Sequence, residues 1–218
     1  MDDSLAKVLV LAGMSLLPFL VATGTCFLKF TVVFTLLRNG LGLQQVPSNV
    51  VINALALMLA AYVMQPVIAD VADAFANHSE PLDHPQDVIA LLNEGSGSYR
   101  AYLARHADAD LVRYFAQLRA SEPDASEPGS WEEPGLFELL PAYALSELKA
   151  AFLIGFYLYL PFVVVDLVVS GILLSLGMMM MSPVTISAPI KLVLFVALDG
   201  WTLISKGLIE PYLSGGGH

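Results

Sequence analysis

Charge is scarce in this chain, and positive charge scarcer still: ten lysines and arginines stand against twenty aspartates and glutamates in 218 residues. A nucleic-acid partner is thereby excluded, because displacing counterions from a phosphate backbone takes clustered basic side chains. Cysteine is nearly absent. The single thiol, Cys26, rules out an intrachain disulfide and any multi-cysteine metal site, and its apolar neighbours point to a buried, inert side chain. No phosphate-binding glycine loop ending in Gly-Lys-Ser/Thr occurs, nor do the zinc-protease or serine-hydrolase motifs. The chain is therefore expected to be no enzyme and to need no cofactor. His78, His84 and His106 lack partners at ligand spacing and read as solvated surface residues. Asp108 and Asp110 lack the twelve-residue calcium loop and read as the acidic first turn of a helix. The amino terminus has no basic stretch ahead of its first apolar run, which is expected to stay in the mature protein.

Apolar residues, by contrast, make up 56% of the chain and charged ones only 14%, with a mean hydropathy of +0.69. Soluble domains average about 45–50% apolar and about 25% charged. A surface this apolar must be covered by a bilayer or a large protein assembly. Between Asp70 and Glu138, fourteen acidic residues meet four arginines, a balance of −10 that accounts for the whole net charge. The acidity thus belongs to one polar middle segment.

Four apolar segments flank that middle, at 5–37, 50–69, about 148–176 and about 184–209. Each reaches the roughly 20 residues a spanning helix needs, but the first and third would run to roughly 50 and 43 Å against a hydrocarbon core of about 30 Å. Pro18 and Gly24 interrupt the first, and Pro161 and Pro189 disturb the third and fourth. Lys29, Asp166, Lys191 and Asp199 sit inside them, where a charge costs about 2.5–3.5 kcal/mol and normally faces protein or water. A carboxylate at that depth either relays protons or pairs with a basic residue or polar backbone at a helix–helix contact. The pattern predicts an all-α membrane-associated protein of four long kinked apolar segments forming hairpins. It divides into an N-terminal hairpin (1–69), an acidic helical extramembrane domain (70–138) and a C-terminal hairpin with a flexible tail ending at His218 (139–218).

Within the middle, Asp83 precedes a helix start into 88–92, Gly95 to Ser98 reads as a flexible break, and Leu111, Phe115 and Leu118 recur at helical spacing. Residues 121–135, rich in Pro, Ser, Gly and acid, read as a linker. Arg38 lies in the short loop of the first hairpin and Lys191 follows that of the second; if those loops face the cytoplasm, the acidic domain lies outside, in a periplasm, although two residues set the orientation only weakly.

Two ordered stretches carry a resemblance. The first runs from Thr23 to Asn49, with Lys29, Arg38-Asn39, Leu41-Gly42, Gln44-Gln45, Pro47 and Asn49 in place, and Ser48 where a second proline is common. The second takes in Pro141-Ala142-Tyr143, Ser146-Glu147-Leu148, Ile154-Gly155-Phe156, Leu160-Pro161-Phe162, Asp166, Gly177 with Met178, Met179, Met180 and Met181, Pro183, Ser187, Lys191 and Gly200-Trp201. Tyr143, Leu176, Ala188 and Asp199 depart from the commonest choices. Together these resemble the SctR/FliP family of type III secretion and flagellar export proteins, across roughly the two apolar pairs.

That resemblance implies a core component of a type III secretion export apparatus in the bacterial inner membrane. The family forms a pentamer that joins smaller S-type (FliQ-like) and T-type (FliR-like) subunits in a portal for unfolded protein substrates. It also implies a methionine gasket at Met178, Met179, Met180 and Met181, whose soft side chains could seal a pore; the plainer reading is adaptable core filler. Lys29, Arg38, Glu147, Asp166 and Lys191 form the set of charges expected at helix–helix contacts. The short N-terminus leans toward a virulence injectisome over a flagellum. The rival class is a proton-coupled secondary transporter for a small solute, for which inverted repeats would be the sign; none is found in the sequence.

Overall fold

The computed structural model describes residues 2–43, 45–77, 95–120, 134–178 and 180–214. His78, His84, the helix start at 83–92, residues 121–133 of the linker, Met179 and His218 lie outside the described residues. Every regular element among the described residues is an α-helix: α1 (Asp2–Thr23), α2 (Phe27–Gly40), α3 (Asn49–Asn77), α4 (Gly97–His106), α5 (Ala109–Ala120), α6 (Leu136–Ser175), α7 (Pro183–Ala197) and α8 (Gly200–Leu213). The fold is all-α and membrane-like, as expected. Among the described residues two helices, α3 and α6, are long and apolar enough to cross a membrane, and up to four spans result if each interrupted pair, α1–α2 and α7–α8, is one.

Proline does less than the sequence suggests, and glycine more. Pro18 lies inside α1, Pro161 inside α6 and Pro189 inside α7. Each removes one ladder hydrogen bond, and an apolar helix tolerates that without ending. The first segment breaks at Gly24 instead. A Cβ there would lie 2.0 Å from the Tyr99 hydroxyl oxygen and 2.8 Å from the Leu20 carbonyl, so only glycine fits. Thr25 Oγ1 then donates to the Val21 carbonyl (2.7 Å) and accepts from the Phe27 N–H (3.2 Å), closing α1 and opening α2 with one hydroxyl.

The chain forms two compact units, Met1–Leu28 with Ala61–Glu147, and Lys29–Ala60 with Leu148–His218. The core of the first buries Cys26, Val63, Met64, Tyr102, Leu103, Leu139, Ala142 and Tyr143. Gly95 to Ser98 is tighter than a flexible break: the Arg100 N–H bonds the Ser96 carbonyl (2.8 Å), α4 begins at Gly97, and Tyr99 donates to the Gly24 carbonyl at 2.8 Å. Asp108 lies just before α5, its carboxylate accepting from the Asp110 N–H at 3.0 Å, the acidic helix start expected there.

The second unit is organised on α2. Its buried residues Lys29, Phe30, Val33, Phe34, Leu37 and Gly40 recur at helical spacing along one face. Leu37 and Leu41 pack with Phe162 of α6 and Phe195 of α7. Phe30 meets Tyr212 and Phe34 meets Trp201 of α8, at ring-centroid distances of 6.0 and 6.1 Å. Between α7 and α8 the chain turns by 62°. Gly200 is required there, since a Cβ would fall 2.1 Å from the Phe195 ring.

Candidate functional site: the methionine turn and the buried charges

The α6–α7 hairpin carries most of the residues singled out in the sequence. Asp166 on α6 accepts from Lys191 Nζ at 2.6 Å and from Ser187 Oγ at 2.6 Å, both on α7. Lys191 also donates to the carbonyl of Gly40, the last residue of α2, at 3.1 Å. One cation thus answers a carboxylate and the negative end of a helix dipole. Asp166 is thus paired across the α6–α7 contact, the arrangement the pairing reading describes. Asp199, the other carboxylate considered, accepts from Thr202 Oγ1 at 3.0 Å at the α7–α8 bend, with a left-handed backbone at φ 48°.

The remaining expected charges are also engaged. Lys29 is buried, with its ammonium 4.6 Å from the centroid of the Tyr212 ring. Arg38 Nη1 donates to the Pro47 carbonyl (3.1 Å) and to Asn49 Oδ1 (2.6 Å), tying the end of α2 to the start of α3 across a tight loop. Glu147 is buried in the first unit.

The methionine run lies at the tip of the hairpin, between the helices and in neither. Gly177, at φ 72°, ends α6: its N–H bonds the Leu174 carbonyl (3.1 Å) and the Met178 N–H bonds the Leu173 carbonyl (2.9 Å), a Schellman close. The Met181 N–H returns to the Met178 carbonyl at 3.3 Å, and Ser182 with Pro183 opens α7. Both ends of the turn are therefore fixed by backbone. Met180 is fully exposed, and Met178 and Met181 are 40% and 42% exposed. None of the three is buried in the single chain.

Sequence reasoning missed the polar knot in the first unit. The Tyr102 and Tyr143 hydroxyls are 2.8 Å apart and buried, and Ser146 Oγ accepts from the Asp108 N–H at 2.7 Å. Burial pushes the Tyr99 hydroxyl pKa up to about 12. The Tyr102 hydroxyl is raised further by burial, with the Cys26 thiol beside it adding to the effect. Tyr143 had appeared only as a departure from the family pattern; no spacing marks a partner 41 residues away. Among the described residues, no group of three or more His, Cys, Asp or Glu side chains is placed to hold a metal.

A family model, FliP family, matches residues 10–208. The chain belongs to the FliP family. Among its relatives, surface presentation of antigens protein SpaP of Salmonella typhimurium is 53% identical over 220 residues, covering 98% of both chains. Yop proteins translocation protein R of Yersinia pestis is 43% identical over 212 residues, covering 97% of this chain and 98% of the relative. Harpin secretion protein HrcR of Erwinia amylovora is 35% identical over 211 residues, with 97% of each chain covered. In this FliP-family chain the two resembling stretches supply several of the contacts above. Arg38, Pro47 and Asn49 form the α2–α3 clamp, Asp166, Ser187 and Lys191 the ion-pair cluster, and Gly177 and Pro183 the ends of the methionine turn.

Proposed function

We propose that this chain is a core subunit of a type III secretion export apparatus, and that its methionine turn is the gate of the export pore. The observation that carries the gate is the turn itself: thioethers held out from the hairpin tip, with backbone fixed on both sides by Gly177 and Pro183. Unbranched, polarizable side chains adapt to whatever surface meets them. A ring of such turns would close on itself when empty and mould around a passing unfolded chain. Relatives named for Yop translocation and harpin secretion favour a virulence apparatus.

The apparatus lies in the bacterial inner membrane, with the acidic segment 70–138 in the periplasm. The α6 face bearing Phe152, Phe156, Leu160, Val163 and Leu167 is exposed in the single chain. Five copies, together with the S-type and T-type subunits, cover such faces and enclose the pore. The chain moves protein without chemistry of its own. A native mass spectrum of the purified complex tests the assembly: a five-copy core is expected, and a folded, monodisperse monomer in mild detergent would overturn it. For the orientation, Ser126→Cys in intact spheroplasts should react with an impermeant thiol reagent; labelling only after inner-membrane lysis would reverse the topology.

A further inference from the structure

We infer that the methionine turn is a modification site for two-electron oxidants, and that sulfoxide formation there opens the seal. The inference rests on the gate reading above. Met178, Met180 and Met181 are the methionines outside helices among the described residues, and Met180 is fully exposed. Met64 offers an internal contrast, at 5% exposure in the core of the first unit. Met58 is exposed, but on α3, which is long and apolar enough to cross a membrane and would there be covered by lipid or a partner. In the gate reading the turn borders the aqueous pore, whereas Met64 is shielded within its own unit, and thioether oxidation follows access to the reagent, so the turn should react before Met64.

The chemistry needs nothing from the protein beyond an accessible sulfur. The thioether lone pair attacks one oxygen of hydrogen peroxide and the O–O bond breaks. Sulfur gains that oxygen and loses two electrons, and the other oxygen leaves as water after proton transfer. The product is a polar sulfoxide in place of an apolar group. Leu176 and Val184, both exposed, flank the turn with apolar surface. A contact closed by apolar side chains excludes water, whereas a sulfoxide accepts hydrogen bonds and draws water in. Protein reductases reverse the reaction, so the opening is reversible.

The test uses the whole export complex in liposomes, exposed to hydrogen peroxide, with sulfoxides mapped by peptide mass spectrometry and conductance read alongside. Met180 should oxidise about tenfold faster than Met64. Conductance should rise several-fold over its own untreated value and fall again after methionine sulfoxide reductase. A complex with Met178→Leu, Met179→Leu, Met180→Leu and Met181→Leu should show no such rise in the ratio of treated to untreated conductance. Oxidation of Met180 no faster than Met64, or an equal rise in the leucine complex, overturns the inference. If untreated alanine substitutions at the turn leak but oxidised wild-type complex does not, the gate stands and the inference falls. If the alanine substitutions do not leak either, the gate reading itself has failed.

Discussion

Lys191 Nζ on α7 lies 2.6 Å from Asp166 Oδ2 on α6. The lysine is buried, whereas the aspartate side chain is 37% exposed, so the pair sits at the edge of the hairpin contact. Removing the carboxylate leaves the ammonium in a low-dielectric place with the Gly40 carbonyl as its remaining described partner. Asp166→Ala should therefore destabilise by about 3 kcal/mol, the low end for broken buried pairs because solvent screens the exposed partner. The double change Asp166→Ala with Lys191→Met should recover most of the loss, since an apolar side chain of similar length needs no counter-charge. Complex yield and thermal midpoint report both; equal loss in the single and double variants would contradict the pairing.

Much of this arrangement was legible in the sequence, for reasons that particular residues make plain. Apolar runs with isolated charges announced helices in or against a membrane, and Asp166 and Lys191 stood out because an unpaired charge is costly there. That Asp166 pairs at all was one of two open readings, and its partner could not be named, because spacing along separate helices says nothing about which faces meet. Pro18 was misjudged as a break and Gly24 was not. Loss of one ladder hydrogen bond is survivable, but the approach of the Tyr99 hydroxyl to Gly24 leaves no room for a Cβ. The α6 helix begins at Leu136, well before the apolar run near Leu148, because helix length follows hydrogen bonding and propensity as well as hydropathy. The Tyr102–Tyr143 pair could not have been read at all, since its specificity lies wholly in packing.

Tyr99 and Tyr102 make the first unit sensitive to alkali. In the unfolded chain tyrosine ionises near pH 10, whereas burial holds Tyr99 protonated to about 12 and Tyr102 higher still. Over that interval the folded state binds more protons than the unfolded one, so stability falls as pH rises. The contribution is complete below pH 10 and is lost progressively above it. Thermal midpoints at pH 9 and 11 should show the drop, and Tyr99→Phe should make it shallower. A Tyr99→Phe variant with an unchanged slope would contradict the assignment.

The bend between α7 and α8 carries a measurable strain. Asp199 adopts φ 48° and ψ 48°, a conformation in which a side chain costs roughly 1–2 kcal/mol and glycine nearly nothing. Asp199→Gly should therefore stabilise the protein by up to about 1 kcal/mol, the gain reduced by loss of the Thr202–Asp199 hydrogen bond. Asp199→Ala, which keeps a Cβ and loses the bond, should destabilise. Thermal midpoints of the two variants should move in opposite directions.

The gate is tested most directly by the conductance of single export complexes carrying Met178→Ala, Met179→Ala and Met180→Ala, read beside the yield of assembled complex. A flexible seal depends on side-chain reach, and alanine shortens the gasket in every copy. Met178, Met180 and Met181 are exposed in the single chain, so the fold of the subunit should survive the change. Normal yield with raised conductance to small ions is the expected result. Were these methionines core filler, each loss would cost about 2–5 kcal/mol through the cavity left behind. Lost yield without any leak would contradict the gate.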